Sequence, residues 1–205
     1  MKLHYHPISH NCRRVLATIY ENGRDDVELS VVDLFKGEHK SPEFLKLNPN
    51  GKVPVLEDGD YSLWESTAIM QYLSGDSPLW PPSKVRYDII RWQAWGIAHW
   101  GPPIGKVVFE RLVKGAVGAG EPDETKVEEG LHEFQQVATV LNGHLEGRDW
   151  LVGDGITLAD LSVAANLTYA STVGIDLEPY ANINRWYGAI EARDSWKRSA
   201  PPPTS

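Results

Sequence analysis

Two clusters of side chains in this chain could do chemistry. The first is Ser9-His10-Asn11-Cys12, a hydroxyl and a thiol three residues apart, with Tyr5 shortly before them. They stand in the loop between a short strand and the start of a helix, where free N–H groups and the positive dipole end favour an anion. A serine in the first position means the pair cannot cycle an internal disulfide. Cys12 reads as a small apolar residue of the first helical turn, with mixed-disulfide chemistry as its alternative. The second cluster is Asn48 to Ser66, NPNGKVPVLEDGDYSLWES. Pro54 interrupts the apolar run Val53 to Leu56, where a residue without an N–H belongs at a sheet edge or a break. A cis Val53–Pro54 bond would instead leave the Val53 peptide groups free to pair with a peptide-like ligand as an added strand does. Glu65-Ser66 then opens a helix, with Ser66 expected as its N-cap. Its start offers a carboxylate site and Glu65 could hold an ammonium, so the stretch reads as an extended-peptide edge ending in an amino-acid clamp. Taken alone, Ser66 reads as an ordinary cap.

The elements that must position these groups follow from periodicity. Lys2 to Tyr5 is a short strand, Asn11 to Asn22 a helix with Val15, Leu16, Ile19 and Tyr20 on its apolar face, and Val27 to Leu34 a second strand. Strand, helix and strand at this length imply a parallel pair with a right-handed crossover. A short helix from Ser41-Pro42 to Leu47 comes next. Asp58-Gly59 signals a hairpin between Val55-Leu56 and Tyr61–Trp64, and a helix follows it. The pattern is a thioredoxin-like α/β domain over 1–75. Gly75 to Ser83, with three prolines, marks a linker over 76–83, and 84–205 shows helical periods only, an all-α domain. Its helices are expected at Val85 to Trp100, Ile104 to Val117 after a break at Gly101-Pro102-Pro103, Thr125 to Leu145, Thr157 to Thr172 and Ile183 to Arg193, with a disordered tail after Ser199. Thr157 and Asp160 have capping-box spacing, and Ile156 and Leu161 could form a staple beside it.

Composition removes several function classes. A net charge of −8 without a basic run argues against nucleic-acid or anionic-membrane partners. A single cysteine precludes an intrachain disulfide, and the start MKLHYHPIS lacks an apolar leader, so a reducing cytoplasm is the expected location. No apolar run approaches a membrane span.

The VPVL-type run, hairpin and Glu-Ser pair resemble the glutathione-binding half of cytosolic glutathione transferases, and the likeness spans essentially the whole chain. The resemblance implies that a cis-proline loop at Val53-Pro54 pairs with the cysteinyl backbone of glutathione, while Glu65 and Ser66 bind its γ-glutamyl end. It further implies a homodimer, glutathione as co-substrate, no metal, and conjugation of the glutathione sulfur to hydrophobic electrophiles. Peroxide reduction, dehalogenation, ether cleavage, isomerisation and non-catalytic glutathione binding are the rival activities on the same fold.

A glutathione thiol, with an ordinary pKa near ~8.5, is mostly protonated at neutral pH, and only its thiolate is a good nucleophile. The protein must therefore stabilise a sulfur anion. Ser9 is placed to do so through a hydroxyl and a helix start; Tyr5 and Cys12 are the alternatives. HPISHNCRRVL resembles the serine-type enzymes, closest to the plant phi class, in which the serine donates to the glutathione sulfur and an arginine, here Arg14, supports the helix start. The run Phe35 to Lys40 is similar too, and implies that His39 and Lys40 contact the glycine carboxylate. Two positions depart from the phi pattern. Asn50 stands where an aromatic dimer key is usual, and Lys52 where glutamine is frequent; Lys52 could reach the glycine carboxylate in its stead. The second substrate is expected between the domains, lined by Ile8, His10, Phe35, His99, Trp100 and Phe109.

Overall fold

The computed structural model describes residues 1–203 and divides into two compact units, Met1–Pro81 together with the residues from Ala192 onward, and Pro82–Glu191. In the first unit, β1 (Lys2–Tyr5) leads through a loop to α1 (His10–Glu21), β2 (Glu28–Val31), a 3₁₀ turn at Glu38–Lys40 and α2 (Pro42–Leu47). The hairpin β3 (Val55–Asp58) and β4 (Tyr61–Trp64) then feeds α3 (Ser66–Ser74). The sheet order is β2-β1-β3-β4, with β1 parallel to β2 and antiparallel to β3. Val32, Phe44 and Val55 form one buried cluster, with Leu34, Leu47 and Val53 packed on it. Leu3 and Leu56 face each other across β1 and β3, and they are buried together with Val15, Leu16, Ile19, Ile69, Met70 and Leu73 of α1 and α3. This alternation along half-buried strands is what the apolar pattern encodes.

Pro54 lies immediately before central strand β3, so the edge-strand reading does not apply, and the Val53–Pro54 bond is cis. The hairpin turn is Gly59-Asp60, one residue later than Asp58-Gly59, because Asp58 pairs with Tyr61 and Gly59 takes the positive φ of 59°. Ser66 is the first helical residue of α3; the cap position belongs to Glu65, which offers no side-chain capping bond.

In the second unit, α4 (Val85–Trp95) and α5 (Gly101–Val108) are not separated by a break at Gly101-Pro102-Pro103. The helical path continues through a π turn at Gly96–Trp100, in which Gly101 donates its N–H to the Gly96 carbonyl five residues back. A π turn already departs from the i→i−4 ladder, so the two N–H groups the prolines lack fall where the ladder is irregular anyway. A second π turn at Phe109–Val113 leads to the short α6 (Lys114–Ala116). Then come α7 (Glu124–His144), capped by Asp123, α8 (Leu158–Ala164) and α9 (Ala181–Glu191). The helix expected to reach Thr172 tightens into a 3₁₀ segment at Ala165–Tyr169. There the Asn166 amide donates to the Ser162 and Val163 carbonyls and competes with the regular ladder. Among the described residues no helix is long and apolar enough to cross a membrane.

After Glu191 the chain rejoins the first unit as α10 (Asp194–Arg198), an element the periodicity did not suggest. Trp196 is buried with the Arg13 guanidinium 4.1 Å from its ring, and Arg193 and Ser195 both bond the Glu21 carboxylate. The expected tail after Ser199 runs through Pro201–Pro203 without regular structure; 204 and 205 lie outside the described residues.

Candidate glutathione-binding site

The loop from Asn48 to Pro54 is built by asparagine and glycine. Buried Asn48 accepts the Asn50 N–H at 3.0 Å through Oδ1 and donates Nδ2 to the Lys52 carbonyl at 2.8 Å, which closes the loop on itself. Gly51 has φ +57°, and a Cβ there would stand 2.9 Å from both the His39 carbonyl oxygen and Lys40 Nζ. Only glycine permits that approach. The 3₁₀ turn carrying His39 and Lys40 is thereby locked to the loop, and Lys40 Nζ donates to the Gly51 carbonyl at 3.3 Å.

Loop, hairpin and helices enclose a cavity of about 160 Å³ lined by Asn11, Asn48, Asn50, Lys52, Val53, Pro54, Glu65 and Ser66. Of the expected glutathione-site residues, Lys52, Val53, Pro54, Glu65 and Ser66 meet there. His39 and Lys40 do not line it and instead brace its loop. Lys52 and Glu65 are exposed and of opposite charge, and Ser66 is buried at the first turn of α3, where backbone N–H groups are unpaired. Glu65 has φ 73°, and it is the only residue other than glycine with positive φ among the described residues. Such a conformation costs of order 1–3 kcal/mol and persists where the surroundings impose it, commonly at ligand clamps.

Ser9 caps α1 from outside the cavity lining: its Oγ accepts the Cys12 N–H at 3.3 Å, and its carbonyl accepts the Arg13 N–H at 2.8 Å. Asn11, two residues on, is what α1 contributes to the cavity. Tyr5 is half-buried, and burial, followed by the neighbouring Tyr20 and Cys12, raises its pKa and keeps the phenol protonated. Cys12 is buried and accepts the His6 N–H at 3.4 Å; burial pushes its thiol up to about 11, so it is neither an ion nor a nucleophile at neutral pH. Buried Arg14 is lowered to about 10 by desolvation and stays charged at neutral pH.

The residues expected around the second substrate fall differently. Ile8 and Phe35 are exposed, the latter edge-on to the His6 ring at 5.8 Å. His10 is held neutral, its pKa lowered to about 3 by burial and then by Arg14. In the helical unit, His99 is exposed in the first π turn and Phe109 is 45% exposed at the start of the second. Trp100 cannot line a pocket. It is completely buried, donates its indole N–H to the Val163 carbonyl at 3.1 Å, and packs on Trp95 and Phe134. Sequence reasoning missed Asn11, Asn48 and Asn50 as lining residues. Their signal lay in position alone, Asn11 two residues after Ser9, and Asn48 opening the Asn-Pro-Asn-Gly turn that contains Asn50.

A thioredoxin-like unit with a polar cavity at its cis-proline loop, followed by a helical unit, is the arrangement of the glutathione-dependent transferases. The comparisons agree: the family model for the glutathione S-transferase N-terminal domain matches residues 1–75 and that for the C-terminal domain matches 101–194. Glutathione S-transferase 3 of Zea mays is 34% identical over 221 aligned residues, covering 100% of this chain and 98% of the relative. The crystal structure of glutathione transferase F7 from Populus trichocarpa superposes with a TM-score of 0.89 at 29% identity, covering 97% of each chain. Glutathione S-transferase-I bound with lactoylglutathione gives a TM-score of 0.88 at 28% identity, again over 97% of each chain. The chain belongs to the glutathione S-transferase family, its relatives include plant phi-class enzymes, and its function is that of a transferase.

Proposed function

We propose that the cavity binds glutathione in extended form. The cysteinyl backbone pairs with the Val53 peptide group beside Pro54, the γ-glutamyl carboxylate sits at the start of α3 on Ser66, and its ammonium faces Glu65. Lys52, with Lys40 behind the loop, provides the positive potential for the glycine carboxylate, and His39 sits beside Lys40. The Ser9 hydroxyl donates to the sulfur, so the thiol proton leaves to solvent more readily. The thiolate then forms a C–S bond to an electrophilic carbon of a hydrophobic molecule, and the leaving group departs with the bonding pair. Exposed apolar Ile8 and Phe35 are the contacts offered to that molecule by the first unit.

One observation carries this reading: Lys52, Val53, Pro54, Glu65 and Ser66, from a loop, a strand start and a helix start, converge on one cavity. We also infer a cytoplasmic homodimer. Supporting it are the single, buried cysteine and an exposed aromatic pair, Tyr61 on β4 and Tyr72 on α3, with rings 5.8 Å apart. Calorimetric titration with glutathione tests the site. Binding should weaken about tenfold or more in Glu65→Gln and in Lys52→Ala, since each removes one charge partner of the ligand. Unchanged affinity in both variants would place glutathione elsewhere.

A further inference from the structure

Six polar side chains line the cavity, those of Asn11, Asn48, Asn50, Lys52, Glu65 and Ser66, and two of them are committed to the loop itself. Asn48 spends its amide on the Lys52 carbonyl and on Asn50, and Asn50 Nδ2 donates back to Asn48 Oδ1 at 3.1 Å. Lys52, Glu65 and Ser66 are assigned above to the two charged ends of the ligand, and a carboxylate offers no donor to a sulfur anion. Asn11 is different: half-buried, it lines the cavity, and its carboxamide has no hydrogen-bond partner among the described residues. It also belongs to the first turn of α1, the turn capped by Ser9. Val53 and Asn11 share a cavity of about 160 Å³, so a ligand pairing with the Val53 backbone lies within reach of the Asn11 amide.

We propose that Asn11 is a second catalytic residue, whose amide N–H donates to the glutathione sulfur alongside the Ser9 hydroxyl and stabilises the thiolate. The inference rests on the glutathione reading above and adds a donor to it. One donor is a weak hold on a sulfur anion at the rim of a partly open cavity. Two donors aimed at one atom stabilise its charged form over its neutral form and lower the thiol pKa.

The discriminating variant is Asn11→Asp. It has nearly the same shape, and an acidic residue in the first turn favours the helix dipole, so the fold is expected to keep or gain stability. At the sulfur, however, a donor becomes a negative charge. We expect the pH midpoint of the bound-thiolate absorbance to rise by at least about one unit, and turnover at neutral pH to fall about tenfold, because one pKa unit is a tenfold change in thiolate fraction. The glutathione dissociation constant should move much less, and Asn11→Ser, which keeps a donor, should restore part of the shift. Ser9→Ala measured alongside separates the two claims. If Ser9→Ala raises the midpoint and Asn11→Asp does not, Asn11 is no donor and the serine reading stands. If Asn11→Asp and the uncharged Asn11→Leu both raise it while Ser9→Ala does not, Asn11 is the principal donor; a rise in Asn11→Asp without one in Asn11→Leu is repulsion by the new carboxylate alone and overturns the assignment. If neither Ser9→Ala nor Asn11→Asp raises it, both assignments fall.

Discussion

Asp160 ties together three parts of the helical unit. Its carboxylate is completely buried, and four donors converge on it. Leu151 N–H at 2.8 Å and the Trp186 indole N–H at 2.9 Å reach Oδ1, and the Thr157 N–H at 2.8 Å and hydroxyl at 3.0 Å reach Oδ2. The Thr157 pair is the capping box at the start of α8, but the other two contacts tie in the loop at Leu151 and helix α9. Asp160→Ala would leave three N–H groups in dry surroundings without acceptors, each costing about 1–3 kcal/mol. Some of that returns, because burial raises the Asp160 pKa and so penalises the charge that the substitution removes. Allowing also for a water entering the gap, we expect a net loss of about 4 kcal/mol, a large part of a typical ~5–15 kcal/mol stability. Asp160→Asn keeps the Oδ1 contacts but presents an NH₂ to the Thr157 N–H, and should cost about 2 kcal/mol. Urea unfolding followed by circular dichroism and tryptophan fluorescence measures both. A loss near 1 kcal/mol in Asp160→Ala, the value of an ordinary helix cap, would refute the argument that the contacts beyond the cap matter.

Two further expectations follow from the first unit. Burial raises the Glu21 pKa, but hydrogen bonds from Arg193 and Ser195 and the Arg193 charge outweigh it, so the net shift is downward. A lowered folded pKa stabilises above the unfolded value and loses that contribution as pH falls through the folded one. The stability gap between wild type and Glu21→Gln, measured by urea unfolding, should therefore be full at neutral pH and close below about pH 4; a pH-independent gap would show that the ion pair contributes nothing. Gly51→Ala forces a Cβ against the His39 carbonyl oxygen in a left-handed backbone, which should cost about 1–2 kcal/mol and raise the KM for glutathione by shifting the loop. A variant with wild-type KM and stability would mean the loop tolerates the shift.

The parts of the fold legible in the sequence were those set by short-range physics. Strand alternation, the glycine stop after α1, the Thr157–Asp160 box and the proline before a buried strand each leave a local mark, and the thioredoxin-like unit follows from their order. What stayed hidden depends on tertiary context. Pro102 and Pro103 read as a break because a π turn has no sequence signature of its own, and Trp100 read as pocket lining because a tryptophan is compatible with both core and cleft. Helix α10 is short, and what holds it is long-range: Trp196 under Arg13, and Arg193 and Ser195 on Glu21. Ser66 suggested a cap by residue type, whereas the positive φ of Glu65 moves the helix start by one residue. Asn11 was invisible as a site residue because its significance is only that it faces a cavity and has no partner.

The most direct test of the central claim is the ultraviolet difference spectrum of bound glutathione thiolate as a function of pH, in wild type and in Ser9→Ala. The expected result is a thiolate signal in wild type well below pH ~8.5, the ordinary thiol value, which moves upward in the variant with little change in glutathione affinity. A bound thiol that titrates at its ordinary pKa in wild type, or a midpoint that Ser9→Ala leaves in place, would contradict thiolate stabilisation by the cap of α1.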